Sequence, residues 1–358
     1  MSLIEFHHPR FIAASEFLRS VDLLCFPSHS IVASSHYTTR PRPLAGSQRD
    51  MFQRAFAILI FVGIYGLVLP SAAYCASPKP AATPLKVYIS VDMEGIAGVV
   101  TQDQLLPGGF EYERFRRFMT DEAVAAVQGA KAAGATEVVV SDSHGNGESL
   151  LIELFPKDVR IVRSWPRHGE MMAGLDSSFA AALFVGYHAS TTNSKGVRAH
   201  TISSAHFTRV ALNGTAVTEA ELNAAYAGAQ GVPVVFISGD DAAISEVTAR
   251  LGPMESVITK QNLGFHSAES LTPAAACEKI YQGALTAVSH RDQRKPYLLA
   301  APITLDISFK NYTSAEIVSY LHSVERTDSH SIRFVGHDIS EVVDFIVFLD
   351  YYNPDMTP

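Results

Sequence analysis

The 358-residue chain holds 28 Lys and Arg against 36 Asp and Glu, a formal net charge of −8, and no long basic run, which argues against nucleic-acid binding. Hydrophobic residues make up 47% and charged residues 18%, enough apolar material for a sizeable core, and the length exceeds that of a usual single domain. The three cysteines offer no disulfide framework: Cys25 and Cys75 fall in the first 76 residues, and Cys277 sits at helical spacing as a core residue.

Those first 76 residues differ from the rest. They carry six Arg, no Lys and four acids, net +2, which leaves 22 basic and 32 acidic residues, net −10, for the remainder. After Met51, Arg54 precedes an apolar run from Ala55 to Leu69, then Pro70 and small residues. That is the order of a secretory signal, with cleavage expected after Ala73 or Ala76. Tyr74, before Cys75, speaks against a lipoprotein signal. The expected location is periplasmic or secreted, with no membrane attachment once the signal (about 51–76) is removed. Left uncleaved, the run of about 15 to 20 residues would be a membrane anchor at the short end of the spanning range. Residues 1–50 show no periodicity, and Met51 offers a second start. The expected division is a leader over 1–76, a Pro/Ala/Ser linker over 77–85, a metal-binding α/β catalytic domain over 86–265 and a smaller α+β domain over 266–358.

From residue 86 the pattern alternates between two periods. Strands are expected at 86–91, 136–142, 159–164, 181–188 and 232–240, and helices at 112–134, 148–155 and 218–231. The stretch 200–217, with Asn213-Gly214, reads as a hairpin. Strand and helix in alternation predict an α/β fold with a mainly parallel sheet and flanking helices. The last part reads as a smaller α+β lobe, with helices at 273–290, 314–322 and 340–352 and strands at 302–309 and 329–336.

The polar residues of interest stand where strands end. In "VYISVDMEGIAG" (87–98), Asp92 and Glu94 occupy the last pleats of the first strand, on one face, where like charges repel unless something positive lies between them. "SDSH" (141–144) ends the second strand with Asp142 and His144, and "GYH" (186–188) ends the fourth with His188. The crevice beyond the carboxyl ends of the strands is the usual ligand site of such sheets. Two imidazoles and two carboxylates from separate strands form a donor set for a divalent metal, Zn²⁺ first. Glu219, opening the helix after the hairpin, can add a third carboxylate. Five donors over-supply one tetrahedral site but suit two ions that share a carboxylate. Singly, each has a plainer reading: a solvated loop, a helix cap at Asp142 or Asp240, a structural histidine, a carboxylate on a helix dipole. No G-x-S-x-G elbow, phosphate-binding glycine loop or H-E-x-x-H helix is present.

Taken together, "KVYISVDMEGIAG", "VVVSDSHGNG", "ALFVGYHA", "GVRAHTIS" and "VTEAELNAAYAG" resemble the zinc-dependent D-aminopeptidases of dipeptide-transport operons, over roughly 86 to 350. The later "ISGDD", "TKQNLG" and "DISFKNYTSAE" extend the likeness. The resemblance implies a binuclear zinc exopeptidase, two Zn²⁺ per chain, acting on short peptides with an N-terminal D-residue and assembled as a homodecamer. It makes Asp92, Glu94, His144, His188 and Glu219 the zinc ligands, Asp92 the bridge, and His200 the catalytic histidine, a nucleophile by the family's label. On chemical grounds a proton shuttle or oxyanion donor suits His200 better, because activated water already supplies the nucleophile. Two alternatives stay open: a metal hydrolase of another bond, such as a phosphoester, and a periplasmic metal- or peptide-binding protein without turnover.

Overall fold

The strand period of two decides which way the first strand faces. In the computed structural model, which describes residues 84–352, β1 (Lys86–Val91) sends Val87, Ile89 and Val91 into one core and Tyr88 into another. The leader, its signal and most of the linker lie outside the described residues. After β1 come α1 (Tyr112–Ala132), β2 (Glu137–Asp142), β3 (Val159–Val162), β4 (Ala181–Tyr187), β5 (Phe207–Leu212) and β6 (Thr215–Ala216). Next are α2 (Glu219–Ala229), β7 (Val234–Asp240), α3 (Asp241–Leu251), β8 (Glu255–Gly264) and β9 (Ser267–Ser270). The chain finishes with α4 (Pro273–Ser289), β10 (Ile303–Phe309), α5 (Tyr312–Val318), β11 (Val324–Arg326), β12 (Ser331–Gly336) and α6 (Ile339–Tyr351).

Seven strands make one sheet in the order β3-β2-β1-β4-β7-β8-β9, parallel except for the edge strand β9. Five make a second, antiparallel sheet in the order β11-β12-β10-β5-β6. Helices α1 and α4 cover one face of the large sheet through Phe115, Met119, Ile280 and Ala284. Helices α2 and α3 cover the other through Ala220, Ala224, Ile244 and Val247. Helix α2 also gives Leu222 and Ala225 to the core of the small sheet, which α6 closes with Val342, Val343 and Ile346. Each large apolar side chain so buried contributes about 1.5–3 kcal/mol. The architecture is the expected one: a mainly parallel α/β layer with an α+β layer beside it.

Several elements differ from expectation. The helix at 148–155 is only a 3₁₀ turn, Ile152–Leu154. The Leu150 and Leu151 N–H groups donate to Asp142 Oδ2 and Thr120 Oγ1, which ties this stretch to β2 and α1. Residues 200–206 are loop, with Ile202 at φ 65°, and only 207–216 form the hairpin. Strands β8 and β9 were not expected at all. The topology also crosses residue 265: β5 and β6 pair into the second sheet, while α4 packs with α1.

Candidate metal centre

The order β2-β1-β4 sets three carboxyl ends side by side, and the expected donors follow them. Asp92 and Glu94 lie on the turn after β1, His144 after β2 and His188 after β4. That turn requires glycine where it touches β4: a Cβ on Gly95 would stand 2.1 Å from Tyr187 O, and one on Gly186 2.2 Å from Asp92 O. Glu219 comes from the first turn of α2, whose cap Thr218 accepts from Glu221 N while Glu221 reaches back to Thr218 N.

His144 Nδ1 lies 3.2 Å from Asp92 Oδ1 and 2.9 Å from Glu94 Oε2. His188 Nε2 lies 3.2 Å from Asp92 Oδ2 and 3.3 Å from Glu219 Oε2. Asp92 thus turns one oxygen to each imidazole. His200 stacks on His188, with ring centroids 4.0 Å apart, and its Nε2 is 3.8 Å from Glu219 Oε1. Donor atoms converge within 4.8 Å in two groups, Asp92 with Glu94 and His188, and His188 with His200 and Glu219.

Each imidazole is aimed by a backbone carbonyl. His144 Nε2 faces Leu105 O at 2.8 Å, His188 Nδ1 faces Ala189 O at 3.0 Å and His200 Nδ1 faces Arg198 O at 2.9 Å. A carbonyl only accepts, so in the neutral ring the N–H lies on that side and the other nitrogen offers its lone pair to the cluster. This is the arrangement that orients metal-binding histidines.

The cluster gathers three carboxylates and two imidazoles away from water. All five expected ligands are at most 5% exposed. Asp92 Oδ2, Glu94 Oε2 and His188 Nε2 are buried without a hydrogen-bond partner, although each has an oppositely charged neighbour within 3.3 Å. Their atoms point at shared space rather than along N–H···O lines, as ligand atoms do. Burial pushes the Asp92 carboxyl up, with Glu94 adding to it. Burial opposes charge on His144 and His188, yet facing Glu94 and Glu219 hold both imidazoles well above their usual range. Burial likewise opposes ionisation of Glu94 and Glu219, and His144 and His188 outweigh it. A divalent cation would satisfy the orphaned atoms and the charge together, and imidazole with carboxylate suits zinc.

All six residues singled out from the sequence therefore meet in one place. Asp142 does not join them, since its Oδ2 accepts from Leu150 N at 2.7 Å. Asp240 caps α3 through Ala243 N and also accepts from Val197 N, bracing the segment before His200. Sequence reasoning missed Glu122, Thr259 and Lys260, which hold the backbone behind Asp92 and Glu94. The only signal was a lysine inside an otherwise half-buried strand.

Known proteins resemble the chain over most of its described length. The D-aminopeptidase model of peptidase family M55 matches residues 85–348, which takes in all six site residues. A D-aminopeptidase of Bacillus subtilis (strain 168) is 33% identical over 260 residues, 72% of this chain and 93% of the relative. The solved structure described as "Zn-dependent D-aminopeptidase DppA from Bacillus subtilis, a self-compartmentalizing protease" superposes with a TM-score of 0.71 at 31% identity, covering 74% of this chain and 97% of that one. The chain belongs to the M55 family of D-aminopeptidases.

Proposed function

We propose that the protein is an exported zinc aminopeptidase that holds two zinc ions per chain and releases the N-terminal residue from short peptides beginning with a D-amino acid, D-Ala-D-Ala among them. The observation that carries the reading is the convergence of buried Asp92, Glu94, His144, His188 and Glu219 with donor atoms left unpartnered. Asp92, with one oxygen towards each imidazole, would be shared between two ions, and Glu94, His144, His188 and Glu219 would complete the donor set. When bound, zinc supplies Lewis-acid activation of water and of the scissile carbonyl. His200 acts beside it. With Nδ1 held by Arg198 O, its Nε2 faces the site, accepts a proton during attack and returns it to the departing amine. Its ring is stacked in place on His188, so this transfer needs no rearrangement.

Export is supported by the basic start, apolar run and small-residue end of residues 51–76. Among the described residues no helix is long and apolar enough to cross a membrane. A homo-oligomer, decameric by the family likeness, is supported by the self-compartmentalizing relative and by exposed side chains such as Phe110 and Leu263. The test is zinc content with hydrolysis of D-Ala-D-Ala and L-Ala-L-Ala by the purified protein. About two zinc per chain with D-selective cleavage is the expected result. Zinc without cleavage of either peptide refutes the peptidase reading, and absence of metal refutes the site.

A further inference from the structure

The turn after β1 carries two candidate ligands within three residues, and its Asp92 and Gly95 N–H groups donate to Val185 O and Gly186 O of β4. Its carbonyls are held by side chains of β8. Lys260 Nζ donates to Glu94 O and, at 2.8 Å, to Ile96 O. Thr259 Oγ1 lies 2.5 Å from Gly95 O and 3.0 Å from Gly239 O, so one hydroxyl proton ties the turn to the end of β7. From the other side, Glu122 Oε1 on α1 accepts from Ala97 N at 2.9 Å. Three successive carbonyls, 94 to 96, are thereby fixed from one strand more than 160 residues away.

Lys260 is 1% exposed and Thr259 wholly buried. Lysine is almost never fully buried unless its ammonium is paired, because leaving water is costly. Among the described residues Lys260 makes no ion pair; its hydrogen bonds go to the backbone of the ligand-bearing turn. The placement serves the carboxylates at one remove. A positive charge stands behind Glu94 while its side chain faces the imidazoles, and the chain cannot swing away to relieve repulsion between Asp92 and Glu94.

We propose that Lys260, assisted by Thr259, is the positioning residue of the metal centre: it holds the 94–96 carbonyls so that Asp92 and Glu94 stand at ligand spacing before metal arrives. It thereby sets metal affinity, foremost where Asp92 and Glu94 supply the donors. The inference rests on the reading of those residues as ligands. It goes beyond that reading in giving a residue outside the ligand set control over occupancy.

The test measures zinc affinity by chelator competition, and zinc per chain, on full-length protein carrying Lys260→Met or Thr259→Val. Folding is monitored by circular dichroism and by melting of the metal-free forms. Loss of a partner that orients a ligand weakens binding by about 10- to 100-fold. That loss is expected for Lys260→Met, with a smaller one for Thr259→Val and a fall in zinc per chain at limiting zinc. A purely structural role would lower the metal-free melting temperature and leave the affinity of the folded protein unchanged, and that outcome overturns the proposal. If Lys260→Met does not fold, Thr259→Val decides: affinity equal to the wild type overturns it. A wild type that binds no zinc refutes the ligand assignment and this inference together. A zinc-loaded wild type matched by both variants refutes this inference alone.

Discussion

Replacing Gly95 with alanine tests whether the two halves of the donor set are held in register by backbone contact. The new methyl would stand 2.1 Å from Tyr187 O, 2.4 Å from Gly186 C and 2.6 Å from Gly186 O. Ordinary contact begins at 3.4 Å, so the turn and the end of β4 must part by about 1.3 Å. All three atoms are main chain, and no rotamer change absorbs the clash. The Gly95 N–H bond to Gly186 O, 2.7 Å long, is stretched with it. Overpacking costs about 1–3 kcal/mol and a weakened buried hydrogen bond about 1 kcal/mol. Against a stability of about 5–15 kcal/mol, the variant stays folded with a lowered melting temperature. The effect on chemistry is larger than the effect on folding. Asp92 and Glu94 move with the turn while His188 moves with β4, and a misplacement of about 1 Å costs about 100-fold in rate. The assay is kcat/KM on D-Ala-D-Ala with zinc content and a melting curve. A Gly95→Ala protein with wild-type kcat/KM and zinc content would refute the reasoning.

His200→Ala should keep wild-type zinc content while kcat falls about 10²- to 10⁴-fold, as expected for loss of a proton-transfer group. Parallel loss of zinc would instead make His200 a ligand, since it groups with His188 and Glu219. Chelation should lower the melting temperature, and zinc restored to about 100 times its Kd should return about 2.7 kcal/mol; an unchanged melt refutes metal binding to the folded state. Glu122 is fully buried, and that burial pushes its carboxyl up to about 8. A raised folded-state pKa favours the folded state below the ordinary carboxylate range, and the advantage is lost as pH climbs through about 8. Urea titrations should therefore show stability falling between about pH 4.5 and 8, by at most about 1.4 kcal/mol per pH unit from this group. Glu122→Gln should flatten that slope, and an unaltered slope would sink the assignment.

What could be read in the sequence was what leaves a local mark. Strand periods and the acids and histidines at strand ends lie within a few residues of one another, so 86–91, 136–142 and 181–188 gave both the parallel layer and the donors. Glu219 was legible because a Thr cap and a glycine stop bracket its helix. The 148–155 segment has a helix-like composition yet keeps only a 3₁₀ turn, and its ties to Asp142 and Thr120 leave no mark in the local pattern. The hairpin near 213 was legible, but not its pairing with β10, which depends on residues about 100 positions later. Lys260 was invisible as a support because its partners are carbonyls, and every residue has one.

Helix α2 has nine of its eleven residues buried, because it is the shared wall of both sheets, and it delivers Glu219 at its first turn. A chain cut back to the parallel layer would leave Leu222 and Ala225 facing water, and with them the footing of one carboxylate. The smaller sheet, though it lends the site no donor, is thus an indivisible part of the machine. Residues 84–352 should melt in a single calorimetric transition, and attempts to shorten this scaffold, or to graft its metal centre elsewhere without the small sheet, begin by loosening Glu219.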